Sequence, residues 1–150
     1  MKQKIHFIII FMILVFLAGC MSDNQPADEV QELTFSLETE FRRYANEEIN
    51  ALLLEEIINS NPDLWNFMVL EPNKPIQDST FIQVGASWAT TAWPFQFNLE
   101  IGFGNAETGF RLYRFITEDN NLVMETMIAY WQEQIIPDIS SWEDVSYIFN

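Results

Sequence analysis

The side chains that most often carry chemistry are scarce in this chain. One histidine, His6, and one cysteine, Cys20, both fall within the first twenty residues, ahead of the stretch expected to fold. A Ser-His-Asp or Cys-His relay needs an imidazole beside its nucleophile, so the folded part has neither. It also lacks a His/Cys zinc site and a disulfide, which leaves stability to the core. No metal and no cofactor is implied. Proton chemistry would fall to carboxylates, tyrosine hydroxyls and Lys74. Glu100 is the one carboxylate inside a strand pattern and is the best candidate for a carboxylate-dependent hydrolase, a reaction that needs a second acid facing it. None is identifiable, and the chain reads as non-enzymatic.

Other polar clusters read as structure. Glu47-Glu48 and Glu55-Glu56 are adjacent pairs, and neighbours on a helix diverge by about 100°, which suits a solvated face better than a dyad. The cluster at 118–121 lacks the spaced acids, glycine and distal Glu of a calcium loop and reads as a helix cap. Gly102, Gly104 and Gly109 lie between two strands without phosphate-loop spacing, and read as turn glycines. Trp88 and Trp93 flank a small, uncharged tip, Ser87 to Pro94. They are the candidate binding residues for a protein, a glycan or a small hydrophobic ligand, or they fold back over the core. Arg111 and Arg114, rare cations among many acids, are expected to pair with carboxylates.

Periodicity supplies the elements that would position these residues. Val30, Leu33, Leu37, Phe41, Tyr44, Ile49, Leu52/Leu53 and Ile57 step by three or four and predict a long N-terminal helix, ended at Asn59-Ser60-Asn61-Pro62. A short helical turn is expected from Pro62 and a possible strand at Met68 to Leu70, followed by a proline loop, Glu71 to Pro75. Period two then predicts strands over 81–88, 95–103 and 110–116, with Phe95, Phe97, Leu99, Ile101 and Phe103 on the buried face. A helix follows from about 117–121 to Pro137, and Ser140-Ser141-Trp142-Glu143 resembles a capping box opening a last short helix. The expected fold is α+β: a long N-terminal helix, a three-stranded antiparallel meander and two C-terminal helices.

The opening residues read as an address. Lys2 and Lys4 precede an apolar run, Ile5 to Leu17, broken only by His6 and shorter than the roughly 20 residues that span a bilayer. Leu17-Ala18-Gly19-Cys20 then resembles the lipobox of bacterial lipoproteins. That resemblance implies cleavage after residue 19 and lipid on Cys20, with enough acyl chains for stable attachment. The expected organisation is a signal peptide over 1–19, the lipidated Cys20 and a polar tether through 31, and one α+β domain over 32–150. Localisation would be extracytoplasmic, at the cell membrane or, since Met21 replaces the Asp common in inner-membrane lipoproteins, at the outer membrane.

Charge completes the picture. After residue 19, five basic residues stand against 22 acidic ones, a formal charge of −17. Such a surface repels nucleic acid and attracts a basic protein. Phe81 to Trp142, with its strand-strand-strand-helix order and closing Asp138 to Val145, resembles in layout the small immunity proteins that neutralise bacterial toxins. That likeness implies a protein-binding module, either of that kind or as a subunit of an envelope complex.

Overall fold

Alternation carries far more of this chain than helical spacing does. A computed structural model describes residues 32–61, 64–87, 96–104 and 109–149, with Leu33–Asn150 as one compact unit. Among the described residues seven strands form a single antiparallel sheet: β1 (Phe35–Thr39), β2 (Arg43–Tyr44), β3 (Phe67–Pro72), β4 (Ser79–Ser87), β5 (Gln96–Phe103), β6 (Arg111–Thr117) and β7 (Glu143–Asp144). Their spatial order is β2-β1-β3-β4-β5-β6-β7. Two short helices accompany them, α1 (Ala51–Asn59) and α2 (Asn120–Ile128), the second extended by a π turn, Ala129–Glu133.

The expected α+β plan is therefore corrected. Among the described residues there is no long N-terminal helix: residues 35–39 are a strand, and Phe41, placed on the apolar face of that helix, is 66% exposed. Leu33, Leu37, Phe41 and Tyr44 do fit helical spacing, but Phe35, Leu37 and Thr39 alternate with Ser36 and Glu38 in a β-favouring run, and all three are buried. The helix starts only where Asn50 can cap it, its side chain accepting from the Leu53 N–H at 3.0 Å. The meander gains β1 and β3 on one side, since β3 runs on through Glu71 to Pro72 where a loop was expected. Proline is admitted there because it ends the strand. At the C-terminus Glu143 opens no helix. It pairs with Arg114 as half of β7, and a 3-10 turn, Ser146–Phe149, follows.

One sheet face and both helices share a core. Leu37, Leu70, Ile82, Leu99 and Ile101 point from the strands toward Leu54, Ile57 and Ile58 of α1 and Val123 and Met127 of α2. Those helix positions recur at three- and four-residue spacing, which is why short helices suffice to cover the sheet. Asp119 caps α2 by accepting from the Asn121 and Leu122 N–H groups. Tyr130 is fully buried against Phe35, with its hydroxyl 3.0 Å from Ser79 Oγ.

Ser79 reaches the core because a β-bulge lies between it and Phe81. The extra residue, Thr80, shifts the alternation, turning Ser79 inward and Phe81 outward over Gly102. A Cβ on Gly102 would lie 2.5 Å from the Phe81 ring, so glycine makes room for the stack of Phe81 on Phe110.

Burial pushes the Tyr130 phenol up to about 12, against a smaller opposing effect of its Ser79 hydrogen bond. The unfolded chain loses this proton near pH 10 while the folded chain keeps it, so stability is unaffected below pH 10 and falls between pH 10 and about 12. Urea midpoints across that range should decline for the natural chain, and the decline should be smaller in Tyr130→Phe. Equal slopes would show that Tyr130 does not carry the effect.

Candidate functional site

At the end of the sheet where β5 finishes and β6 begins, the bulge and the Gln77-Asp78 turn border a cleft of about 480 Å³. Its lining includes Asp78, Thr80, Phe103, Arg111, Tyr113 and Ile139. Phe103 and Tyr113 meet edge to face with ring centroids 5.8 Å apart and supply an aromatic wall. Thr80, the extra residue of the bulge, supplies a hydroxyl, which donates to the Gly102 carbonyl at 3.4 Å.

Gln77 and Asp78 form a two-residue turn closed by hydrogen bonds between Ile76 and Ser79 of 2.9 and 2.8 Å. Both residues have positive φ, 48° and 70°. Turns of this kind favour Asn-Gly because an ordinary side chain is strained there. The Asp78 carbonyl in turn accepts from the Gly104 N–H at 2.9 Å, tying the turn to the end of β5. Strain of this sort is kept where position matters, and here it places two polar side chains at the cleft. Gln77→Asn should raise stability by about 0.5–1 kcal/mol by easing that strain, read as a higher thermal midpoint. A lower midpoint would mean that the glutamine is needed for the fold.

The second polar feature is Glu100, on the sheet face opposite the helices. It is only 7% exposed. Its carboxylate accepts from Arg114 Nε at 2.6 Å and from the Gln83 amide. Gln83 and Arg114 are its direct cross-strand neighbours, and the register continues outward through Val69 and Glu38 to Arg43 on one side and to Glu143 on the other. Both Glu100 oxygens are thus held by an amide and a guanidinium. That is an arrangement for joining strands, and it offers no free carboxylate for acid-base work.

Among the described residues, no group of three or more Asp, Glu, His or Cys is placed to hold a metal ion, and no helix is long and apolar enough to cross a membrane. Asp144 is held below the usual carboxylate range chiefly by the Ser146 hydroxyl and N–H, with a smaller pull from Arg111.

Compared with known proteins, the chain matches no family model, no curated protein and no solved structure.

Several residues singled out by sequence, Leu17, Ala18, Gly19 and Cys20 of the address and Trp88 and Trp93, lie outside the described residues. What is described is the Ser87↔Gln96 pair from which the tryptophan segment leaves. Thr39, Phe67 and Thr117 end or begin their strands at that same end of the sheet. Glu100 and Arg114, both named from sequence, come together, whereas Arg111 makes no ion pair within 4.0 Å among the described residues. The cleft has no sequence signature. Its turn lacks the glycine that announces one, and its bulge interrupts an otherwise regular alternation by one residue.

Proposed function

We propose that this chain is a lipid-anchored, non-enzymatic protein of the cell envelope that binds a basic protein partner through its helical layer. The observation that supports this is the separation of charge. Residues 46–61 and 118–142, which contain both helices and their flanks, include no Lys or Arg. They do expose Glu47, Glu55, Glu56, Glu125, Glu133 and Asp138. Every described carboxylate except Glu100 is exposed. The arginines lie in the sheet and its turns, where Arg42 meets Glu48 at 2.7 Å and Arg43 lies between Glu38 and Glu71. Leu52, 62% exposed on α1 beside Glu55 and Glu56, adds an apolar contact to the acidic surface.

Such a surface speeds encounter with a basic partner and makes the complex sensitive to salt. The test uses the mature chain from Cys20 as bait for envelope extract. A basic partner should be held at low salt, lost at high salt, and lost at low salt from Glu55→Lys/Glu56→Lys. Retention by both the salt wash and the charge-reversed bait would defeat the reading. For the anchor, Cys20→Ser should abolish incorporation of labelled palmitate and release the protein from membranes. A variant that stays membrane-bound would argue against lipidation at Cys20.

A second reading, a glycan or hydrophobic ligand at Trp88 and Trp93, is favoured by Phe41 and Leu64. These are 66% and 65% exposed, next to strand ends on the side of the sheet from which the tryptophan segment leaves. Ligand quenching of tryptophan fluorescence should then survive high salt and vanish in Trp88→Ala/Trp93→Ala.

A further inference from the structure

Arg111 is the anomaly in the charge pattern. This chain has 22 acidic residues and seven basic ones, so a guanidinium finds a carboxylate easily. Arg42, Arg43 and Arg114 each do so within 4.0 Å. Among the described residues Arg111 makes no ion pair within 4.0 Å: it pulls only weakly on Asp144, whose carboxylate is held chiefly by Ser146, and it is exposed on a strand whose neighbours are fixed. It lines the cleft of about 480 Å³ together with Asp78, and no ion pair joins the two. Asp78 is exposed as well and is held there by a turn in which both residues have positive φ.

A cleft of that volume falls in the range of small-molecule sites, about 300–1,000 Å³. Its charged lining groups are one guanidinium and one carboxylate, beside the polar Gln77 and Thr80, and Phe103, Pro75, Ile139 and the Tyr113 ring supply apolar surface. A phosphate or other dianion would have to approach a strongly acidic molecule and sit near Asp78 and Asp144, so the field disfavours it. A cation would meet Arg111. The charge pattern matches a molecule that is neutral overall and carries both signs.

We propose that the cleft binds a small zwitterion, a free amino acid or short peptide with an apolar side chain, its carboxylate on Arg111 and its ammonium group on Asp78. The guanidinium fork suits a carboxylate, with which it makes two parallel hydrogen bonds. Thr80 Oγ and the Gln77 amide supply further polar contacts, while Phe103 and Tyr113 receive the side chain. Apart from Ile139 this site is built from the sheet and its turns, and its occupancy does not depend on whether a protein binds the helices.

Calorimetric titration of the mature chain with leucyl-phenylalanine and free phenylalanine tests it. Both should bind, and blocking either charge, in N-acetyl-leucyl-phenylalanine or leucyl-phenylalaninamide, should weaken binding about tenfold. Arg111→Gln should weaken the free dipeptide by a similar factor and no longer distinguish it from the amide. Asp78→Asn, which suits positive φ, should no longer distinguish the free from the acetylated form. Unchanged thermal midpoints of both variants would confirm that they fold. Absence of binding by either free probe, or equal binding of free and blocked forms by the natural chain, would overturn the proposal.

Discussion

Replacing Trp65 with alanine is expected to cost about 3–5 kcal/mol, enough to remove a large part of the stability of a domain this size. Trp65 is 2% exposed and stacks on Phe97 with ring centroids 6.5 Å apart, so truncation leaves a cavity where the segment before β3 meets β5. Its indole N–H is buried without a hydrogen-bond partner among the described residues. Leaving a donor unpaired costs about 1–3 kcal/mol, and Trp65→Phe removes that donor while retaining a ring. The phenylalanine variant should therefore lie within about 1.5 kcal/mol of the natural chain, because the lost packing is offset by the lost penalty. Urea unfolding separates the two cases. A phenylalanine variant as unstable as the alanine one would show that the indole nitrogen is engaged.

Arg114→Met has the second large effect. It strands the Glu100 carboxylate in a sheet face that leaves Glu100 almost no contact with water. Removing one partner of a buried pair costs about 3–5 kcal/mol. The Arg114 side chain is 30% exposed, so water can approach the vacated position and the lower end, about 3 kcal/mol, is expected. Adding Glu100→Gln removes the stranded charge, and the double variant should recover most of the loss. Equal losses in the single and double variants would mean that Arg114 stabilises the sheet by packing alone, with no contribution from charge.

These two sites show where the sequence is readable. The three strands expected over 81–88, 95–103 and 110–116 were legible because alternation writes sheet geometry directly into the chain. Phe97, Leu99 and Ile101 face the helices and Asn98, Glu100 and Gly102 face away, although Glu100 and Gly102 are buried there too. Glu100 stood out for the same reason, as an acid in a strand interior. The first strand was not legible, since five residues of alternation can be absorbed into a longer run of three- and four-residue steps. Only tertiary pairing, Phe35↔Pro72 through Thr39↔Met68, decides between them. The short helical turn expected from Pro62 does not by itself decide which side chain is buried: Trp65 is and Leu64 is not, and the stack of Trp65 on Phe97 depends on strand order. The cleft depends on a bulge of one residue and on a turn built without glycine, and neither has a local composition that marks it.

The two outermost strands are two residues long and carry Arg43, Glu143 and Asp144. A sheet edge of unpaired backbone groups is a template for another copy, and proteins blunt it with short, charged strands. Copies tethered to one membrane share a plane and meet far more often than they would in bulk solution, so an open edge there would invite chains to add to one another as ribbons. In the proposed anchored form, the brevity and charge of these margins would oppose edge-to-edge addition at high surface density, and the like charge of the acidic residues on the helical side would reinforce that protection.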